Sequence, residues 1–202
     1  MALRLKHGRS EDIEMKKVIV LSIIFAAGSL LASDKHHSAS PFHTSFKRTG
    51  IGEGPIGTIY IIIDKRKYEL SVFDDKGWYA TYPVVFGSSS LEDKKIQGDK
   101  NTPEGTFRIN AKRIHKQWDR FLALDYPNKE SWEKFYQRKS KGEIPASAQI
   151  GGGIGIHGTW PHEDFVIDRY KNWTLGCISM KREDVEDLYN YTPVGTKVII
   201  RK

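Results

Sequence analysis

The chain has 202 residues, 39% of them hydrophobic and 28% charged, and carries 32 Lys and Arg against 25 Asp and Glu. That length suits one domain with a sizeable core, and a single cysteine excludes an internal disulfide. The net charge of +7 favours acidic surroundings, whether cell-wall polymer, anionic lipid or nucleic acid, and does not choose among them.

Val18 to Ala32 (VIVLSIIFAAGSLLA) is the one strongly apolar run, and Lys16 and Lys17 precede it. It is shorter than the roughly 20 residues that a membrane span requires. It reads instead as the apolar region of a secretory signal, with small residues at Ala26-Ala27-Gly28 and Leu30-Leu31-Ala32 near a cleavage point. Met15 opens the string MKK, so the preceding residues read as an upstream extension of the frame. The expected division is an extension and signal over 1–32, a flexible linker over 33–54 and a folded domain over 55–202. Export to the periplasm or cell wall follows from it, with membrane contact only through an uncleaved signal segment. The linker holds His36, His37 and His43 with no cysteine or carboxylate cluster beside them, and reads as a solvated tail rather than a metal site.

Thr58 to Asp64, Tyr68 to Phe73 and Trp78 to Phe86 are β-branched or alternating runs joined by the polar turns Lys65 to Lys67 and Asp74 to Gly77. They predict an antiparallel meander. Gly87 to Asn101 is polar and reads as a loop, Thr106 to Ala111 as a fourth strand and Phe121 to Leu124 as a fifth.

Arg108 to Lys141 holds ten Lys or Arg against four Asp or Glu, interleaved with Trp118, Phe121, Tyr126, Trp132, Phe135 and Tyr136. Basic residues mixed with aromatics suit single-stranded nucleic acid. The spacing of Trp132, Phe135 and Tyr136 favours an amphipathic helix that packs its aromatics, begun near Asn128 and stopped by Gly142 and Pro145; no nucleic-acid partner is expected. Val185, Leu188 and Tyr189 mark a second helix face ended by Pro193, and Thr196 to Arg201 forms a last strand. The pattern is mainly β with two short helices.

Chemistry concentrates between Gly151 and Met180, which holds six of the eighteen glycines, the only cysteine and His157. A thiol with an ordinary pKa of about 8.5 needs a partner to act as a nucleophile. An imidazole within hydrogen-bond reach of Cys177 would take its proton and return it to a leaving group. Gly176 lets a substrate approach the backbone, and the N–H groups of Gly176 and Cys177 are oxyanion donors on paper. This pairing also predicts a thiol pKa below the free value. Against it stands the common fate of an unpaired cysteine as a small buried hydrophobe. His162 competes as the base, although Pro161, Glu163 and Asp164 around it suggest a surface turn. Metal binding by His157, His162, Asp164 and Asp168 fits no usual zinc spacing, and no cofactor is expected.

Ile156 to Thr159 (IHGT) followed by Thr174 to Met180 (TLGCISM) resembles the signature of the L,D-transpeptidase catalytic domain, and Asn101 to Phe107 (NTPEGTF) and Ile61 to Gly87 resemble elements upstream of it. The resemblance spans roughly Pro55 to Lys202. It implies a curved β-sandwich of that type with histidine and cysteine side by side at one end, Cys177 as nucleophile and His157 as base and acid. It also implies substrate-binding positions at Gly158, Thr159, Thr174, Ser179 and Tyr126. Many members carry arginine two residues after the cysteine, where this chain has Ser179. The Trp173 to Ile178 context marks a subset with a small residue there, and the change reads as a marker of substrate class, with Arg182 or Arg169 as stand-ins for the arginine.

The implied substrate is a peptidoglycan stem peptide, cleaved with loss of D-alanine and joined to an amine. Hydrolysis of the same class of bond, release or attachment of a wall-linked lipoprotein, and a non-catalytic wall-binding domain stay open. Papain-like hydrolases place the cysteine first in the chain, unlike this one. Sortases share the order seen here but need a later arginine, for which Arg201 is the candidate.

Overall fold

The computed structural model describes residues 44–48, 54–87 and 90–202. All lie in the second of two compact units, Ser38–Lys202. The signal reading of 1–32 and the three linker histidines lie outside the described residues. Within the span read as linker, Phe46–Lys47 form a short strand, β1.

The meander is present as β2 (Tyr60–Asp64), β3 (Glu69–Asp74) and β4 (Gly77–Val85). β2 carries Ile61 and Ile63 inward, both fully buried, and β3 sets Val72 and Leu70 opposite them. Branched side chains on a pleat bury one face while the other meets solvent, which is why alternation reads as a strand. The turn after β2 contains the unexpected Lys65. Its ammonium is buried, donates to the carbonyls of Glu92 (3.0 Å) and Thr102 (3.3 Å), and pairs with Glu104 at 2.7 Å. That one cation pins the polar segment after Gly87 to the sheet.

β5 (Gly105–His115) and β6 (Asp119–Leu124) make a longer hairpin than the sequence suggested. β7 (Gly155–Gly158), β8 (Ile178–Met180) and β9 (Lys197–Arg201) complete the strands. The order is β1-β4-β3-β2-β9-β5-β6-β7-β8, and an added β4–β8 pairing closes the ring from β4 round to β8. Two long strands turn the corners between layers. β4 pairs with β3 through most of its length and with β8 at Val84 and Val85. β5 pairs with β9 over Gly105–Arg108 and with β6 from Ile109 onward. The fold is thus mainly β, a curved sandwich, with Phe86, Phe107, Leu122, Ile156, Ile178 and Val198 among the residues filling it.

The described residues hold three helices rather than two. α1 (Lys129–Ser140) is capped by Asn128, whose side chain accepts from the Ser131 amide at 3.1 Å. Of its aromatic trio only Phe135 is buried, while Trp132 and Tyr136 stack on each other in solvent. α3 (Arg182–Tyr191) buries Val185 and Leu188 as its spacing implied. The additional α2 (Phe165–Asp168) is a single turn, too short for a periodic signal. Among the described residues no helix is long and apolar enough to cross a membrane.

Candidate active site

His157 sits in β7 and Cys177 immediately precedes β8; these strands pair in parallel, Ile156 opposite Ile178 and His157 opposite Ser179. Residues 156 and 178 face the core, so 157, 177 and 179 face the other side. There His157 and Cys177 line one cavity of about 430 Å³ together with Arg113, Trp118, Phe121, Trp173, Thr174, Leu175 and the segment Gly152–Ile154.

The imidazole is enclosed by rings. Trp118 stacks on it at 4.6 Å, Phe121 at 5.8 Å, and Trp173 meets it edge-on at 5.6 Å. Only 2% of His157 is exposed, and this burial holds its pKa down at about 4, although the Gly158 carbonyl acts in the opposite direction. Nδ1 lies 2.8 Å from that carbonyl. A carbonyl only accepts, so Nδ1 carries the hydrogen and Nε2 is left as the basic nitrogen.

Cys177 is half-buried. Its thiol donates to the Gly153 carbonyl at 3.5 Å. Burial raises its pKa, against lowering contributions from the Gly155 amide and the charge of Lys94. The expected thiol below its free value is therefore corrected. Burial disfavours the charged form of both groups, which favours neutral thiol and neutral imidazole over an ion pair.

The turn that presents the sulfur is held from two sides. Thr174 donates through Oγ1 to the Cys177 carbonyl (2.8 Å) and accepts from the Gly176 amide (3.2 Å). The Gly176 amide is thus already engaged, and a role at an oxyanion would be shared with Thr174. Gly176 has φ +128°, and a Cβ there would lie 2.9 Å from the Asn101 carbonyl oxygen. Behind it Gly87 approaches so closely that a Cβ would fall 2.3 Å from the Gly176 nitrogen. The amides of Trp173 and Thr174 both donate to the Phe86 carbonyl.

The other sequence-selected residues do not line this cavity. Gly158 donates to the Trp118 carbonyl at 2.9 Å and has no room for a side chain. Thr159 is fully buried with its hydroxyl donating to Asp164, so it supports the turn and does not line the cavity. Tyr126 is buried and donates to the Ile150 carbonyl (3.3 Å), also away from the cavity. Ser179 is fully buried and its hydroxyl lacks a hydrogen-bond partner. His162 is exposed in a turn at φ 66°. Asp164 accepts from Thr159 and the Arg182 amide, while Asp168 pairs with Lys181.

Neither proposed stand-in for the missing arginine lines the cavity. Arg182 donates to the carbonyls of Gln117 and Thr159, and Arg169 lies over Phe165. Arg201, the sortase candidate, is exposed and pairs with Asp64. The cation in the cavity wall is Arg113, which sequence reading missed along with Trp118 and Phe121 as site residues. Their signal was present in the basic and aromatic composition of 108–141, but composition does not tell which strand residue faces which way.

The chain matches the YkuD model, the L,D-transpeptidase catalytic domain, over residues 58–200. It is 31% identical over 155 residues to a putative L,D-transpeptidase, YqjB, of Bacillus subtilis, covering 74% of this chain and 76% of that one. The crystal structure of the helical cell shape determining protein Pgp2 from Campylobacter jejuni shares the fold with a TM-score of 0.52 and 20% identity, over 80% of this chain. This chain spans only about half of that structure, 51%. With its motif segments brought to one cavity and its matched span covering nearly the whole described domain, the chain belongs to the YkuD family of L,D-transpeptidase catalytic domains.

Proposed function

We propose that the protein is a cysteine acyltransferase acting on peptidoglycan stem peptides. The observation that carries this reading is that His157 and Cys177, twenty positions apart, line one cavity with the histidine tautomer fixed so that Nε2 is free to act as base. Nε2 takes the Cys177 proton as sulfur attacks the peptide carbonyl. The oxyanion meets the Cys177 amide and, shared with Thr174, that of Gly176. The tetrahedral intermediate collapses as the imidazolium returns the proton to the departing D-alanine amine, leaving a thioester. An acceptor amine then loses its proton to Nε2, attacks the thioester and regenerates the thiol. Water in place of the amine would give hydrolysis, and a lipoprotein lysine as acceptor would give wall attachment. Action on this polymer requires export, the role expected of the apolar run before the domain.

Incubating the purified protein with disaccharide tetrapeptide and resolving the products tests all of this. Wild type is expected to give cross-linked dimer and free D-alanine, and Cys177→Ala neither. Trimmed tripeptide without dimer would move the assignment to hydrolysis. Product from Cys177→Ala at the wild-type rate would overturn the catalytic assignment in favour of a wall-binding domain.

A further inference from the structure

Arg113, Phe121, His157 and Ser179 form one row across four strands, since Arg113 pairs with Phe121, Phe121 with His157, and His157 with Ser179. Residues directly opposite in a ladder share a face. The guanidinium lies over the Phe121 ring, 4.4 Å from its centre, and lines the same cavity as the sulfur. Among the described residues no carboxylate pairs with it, and it carries the one permanent charge in that wall. Three other arginines of the domain are instead held by carboxylates: Arg48 by Asp74, Arg120 by Glu186 and Arg138 by Asp93. An exposed cation lying over a ring, with no hydrogen-bond partner among the described residues and lining the cavity of the sulfur, is suited to an anion brought by the substrate.

We propose that Arg113 is the specificity-determining residue that holds a carboxylate of the substrate while its neighbouring carbonyl meets Cys177; this rests on the acyl-transfer reading above. Arg113 and His157 stand two strand spacings apart in the row, about 10 Å, and the guanidinium lies over the Phe121 ring, which itself stacks on the imidazole at 5.8 Å. A carboxylate about one residue from the scissile carbonyl lies within reach of a cation over that ring. Two sources on a stem peptide satisfy it: the terminal carboxylate of the departing residue, and the free carboxylate of the residue that becomes acylated. The position two residues after the cysteine, occupied by the buried Ser179, contributes no charge, and the cation comes from β5 instead.

The experiment has two readouts. The first needs no turnover: Cys177 is the only thiol in the chain, so its alkylation rate by iodoacetate and by iodoacetamide is read directly. Both reactions form a carbon–sulfur bond and expel iodide, and the reagents differ in carrying a carboxylate or a neutral amide. Arg113→Gln is expected to lower the iodoacetate-to-iodoacetamide rate ratio by about tenfold, with Arg113→Lys in between. An unchanged ratio would overturn the proposal. This holds even if the transpeptidase reading fails, so the two failures are distinguishable.

The second readout is kcat/KM on the tetrapeptide. Arg113→Gln is expected to lose about 10- to 100-fold, chiefly through KM. Amidating one substrate carboxylate should cost wild type a similar factor and Arg113→Gln little more; the carboxylate for which this holds is the one bound. If neither amidation affects wild type and Arg113→Gln keeps its kcat/KM, Arg113 has no such role.

Discussion

Two parallel strand pairs in this sheet have the same ladder geometry and opposite characters. In β2–β9, Ile61 faces Val198 and Ile63 faces Ile200, all essentially fully buried, while the alternate residues reach towards solvent. In β7–β8 both faces are buried: Ile156, Ile178 and Met180 fill the core, and the other face carries His157, enclosed by Trp118, Phe121 and Trp173, and the buried Ser179. The first pair withdraws only hydrocarbon from water, a gain of about 1.5–3 kcal/mol per side chain. The second buries an imidazole, and leaves the hydroxyl of Ser179 and the indole N–H groups of Trp118 and Trp173 without partners. Each such group costs about 1–3 kcal/mol. One seam therefore supplies stability and the other draws on it, and the costly face is the one that carries the histidine proposed as the base.

Substitution at the hydrocarbon seam should have the largest effect, on stability alone. Ile63→Ala leaves a cavity against Leu70 and Ile200 and is expected to destabilise by about 2–5 kcal/mol. Denaturant unfolding measures this, and kcat/KM per folded molecule should be unchanged. Loss of specific activity at intact stability would break the distinction between the two pairs.

Gly87→Ala tests the other seam. Its Cβ would meet the Lys100 carbonyl oxygen at 2.2 Å and the Gly176 nitrogen at 2.3 Å, and both are backbone atoms that yield only by moving the turn that presents Cys177. Activity is expected to fall about 100-fold, the cost of misplacing a reacting group by about 1 Å. Kinetics measured alongside thermal unfolding will show whether the fold is kept. Full activity in this variant would mean that the turn is not held by the close approach of the two glycines.

How far the sequence reveals this difference depends on the kind of signal. Alternation in β2, β3 and β9 is local, so the meander and the last strand were legible, as were α1 from its Asn128 cap and α3 from Val185 and Leu188. That His157 and Cys177 would line one cavity was legible from the family resemblance, which placed them together. β7 and β8 were not: they are four and three residues long, half of β7 is glycine, and neither has a period to read. Arg113 was illegible for another reason. Its place in the cavity depends on the β5–β6 and β6–β7 registers, which put it in line with His157 across strands distant in sequence. The thiol pKa was misjudged because a neighbouring histidine was counted and the aromatic cover was not.

That cover sets the smallest expected effect, on pH dependence. Burial holds His157 at about 4, against an ordinary value near 6.5. The neutral base is therefore present down to about pH 4, and kcat/KM should stay level from about pH 8 to about pH 5, then fall tenfold per unit below the folded pKa. Stability follows the same group. Between the two values the unfolded chain binds the extra proton, so stability is fully present above about pH 6.5 and is lost as pH falls towards 4, by about 3 kcal/mol in all. Trp118→Ala removes the ring stacked at 4.6 Å and admits water to the imidazole. Its acid limb should move up by about one to two units, with the stability loss confined to a correspondingly narrower range. A preformed thiolate and imidazolium predicts otherwise: the wild-type acid limb would follow a lowered thiol pKa, and uncovering His157 would strengthen the ion pair. If the limb stays fixed in Trp118→Ala, the aromatic cover does not control the base, and the contrast between a stabilising seam and a working one loses its electrostatic half.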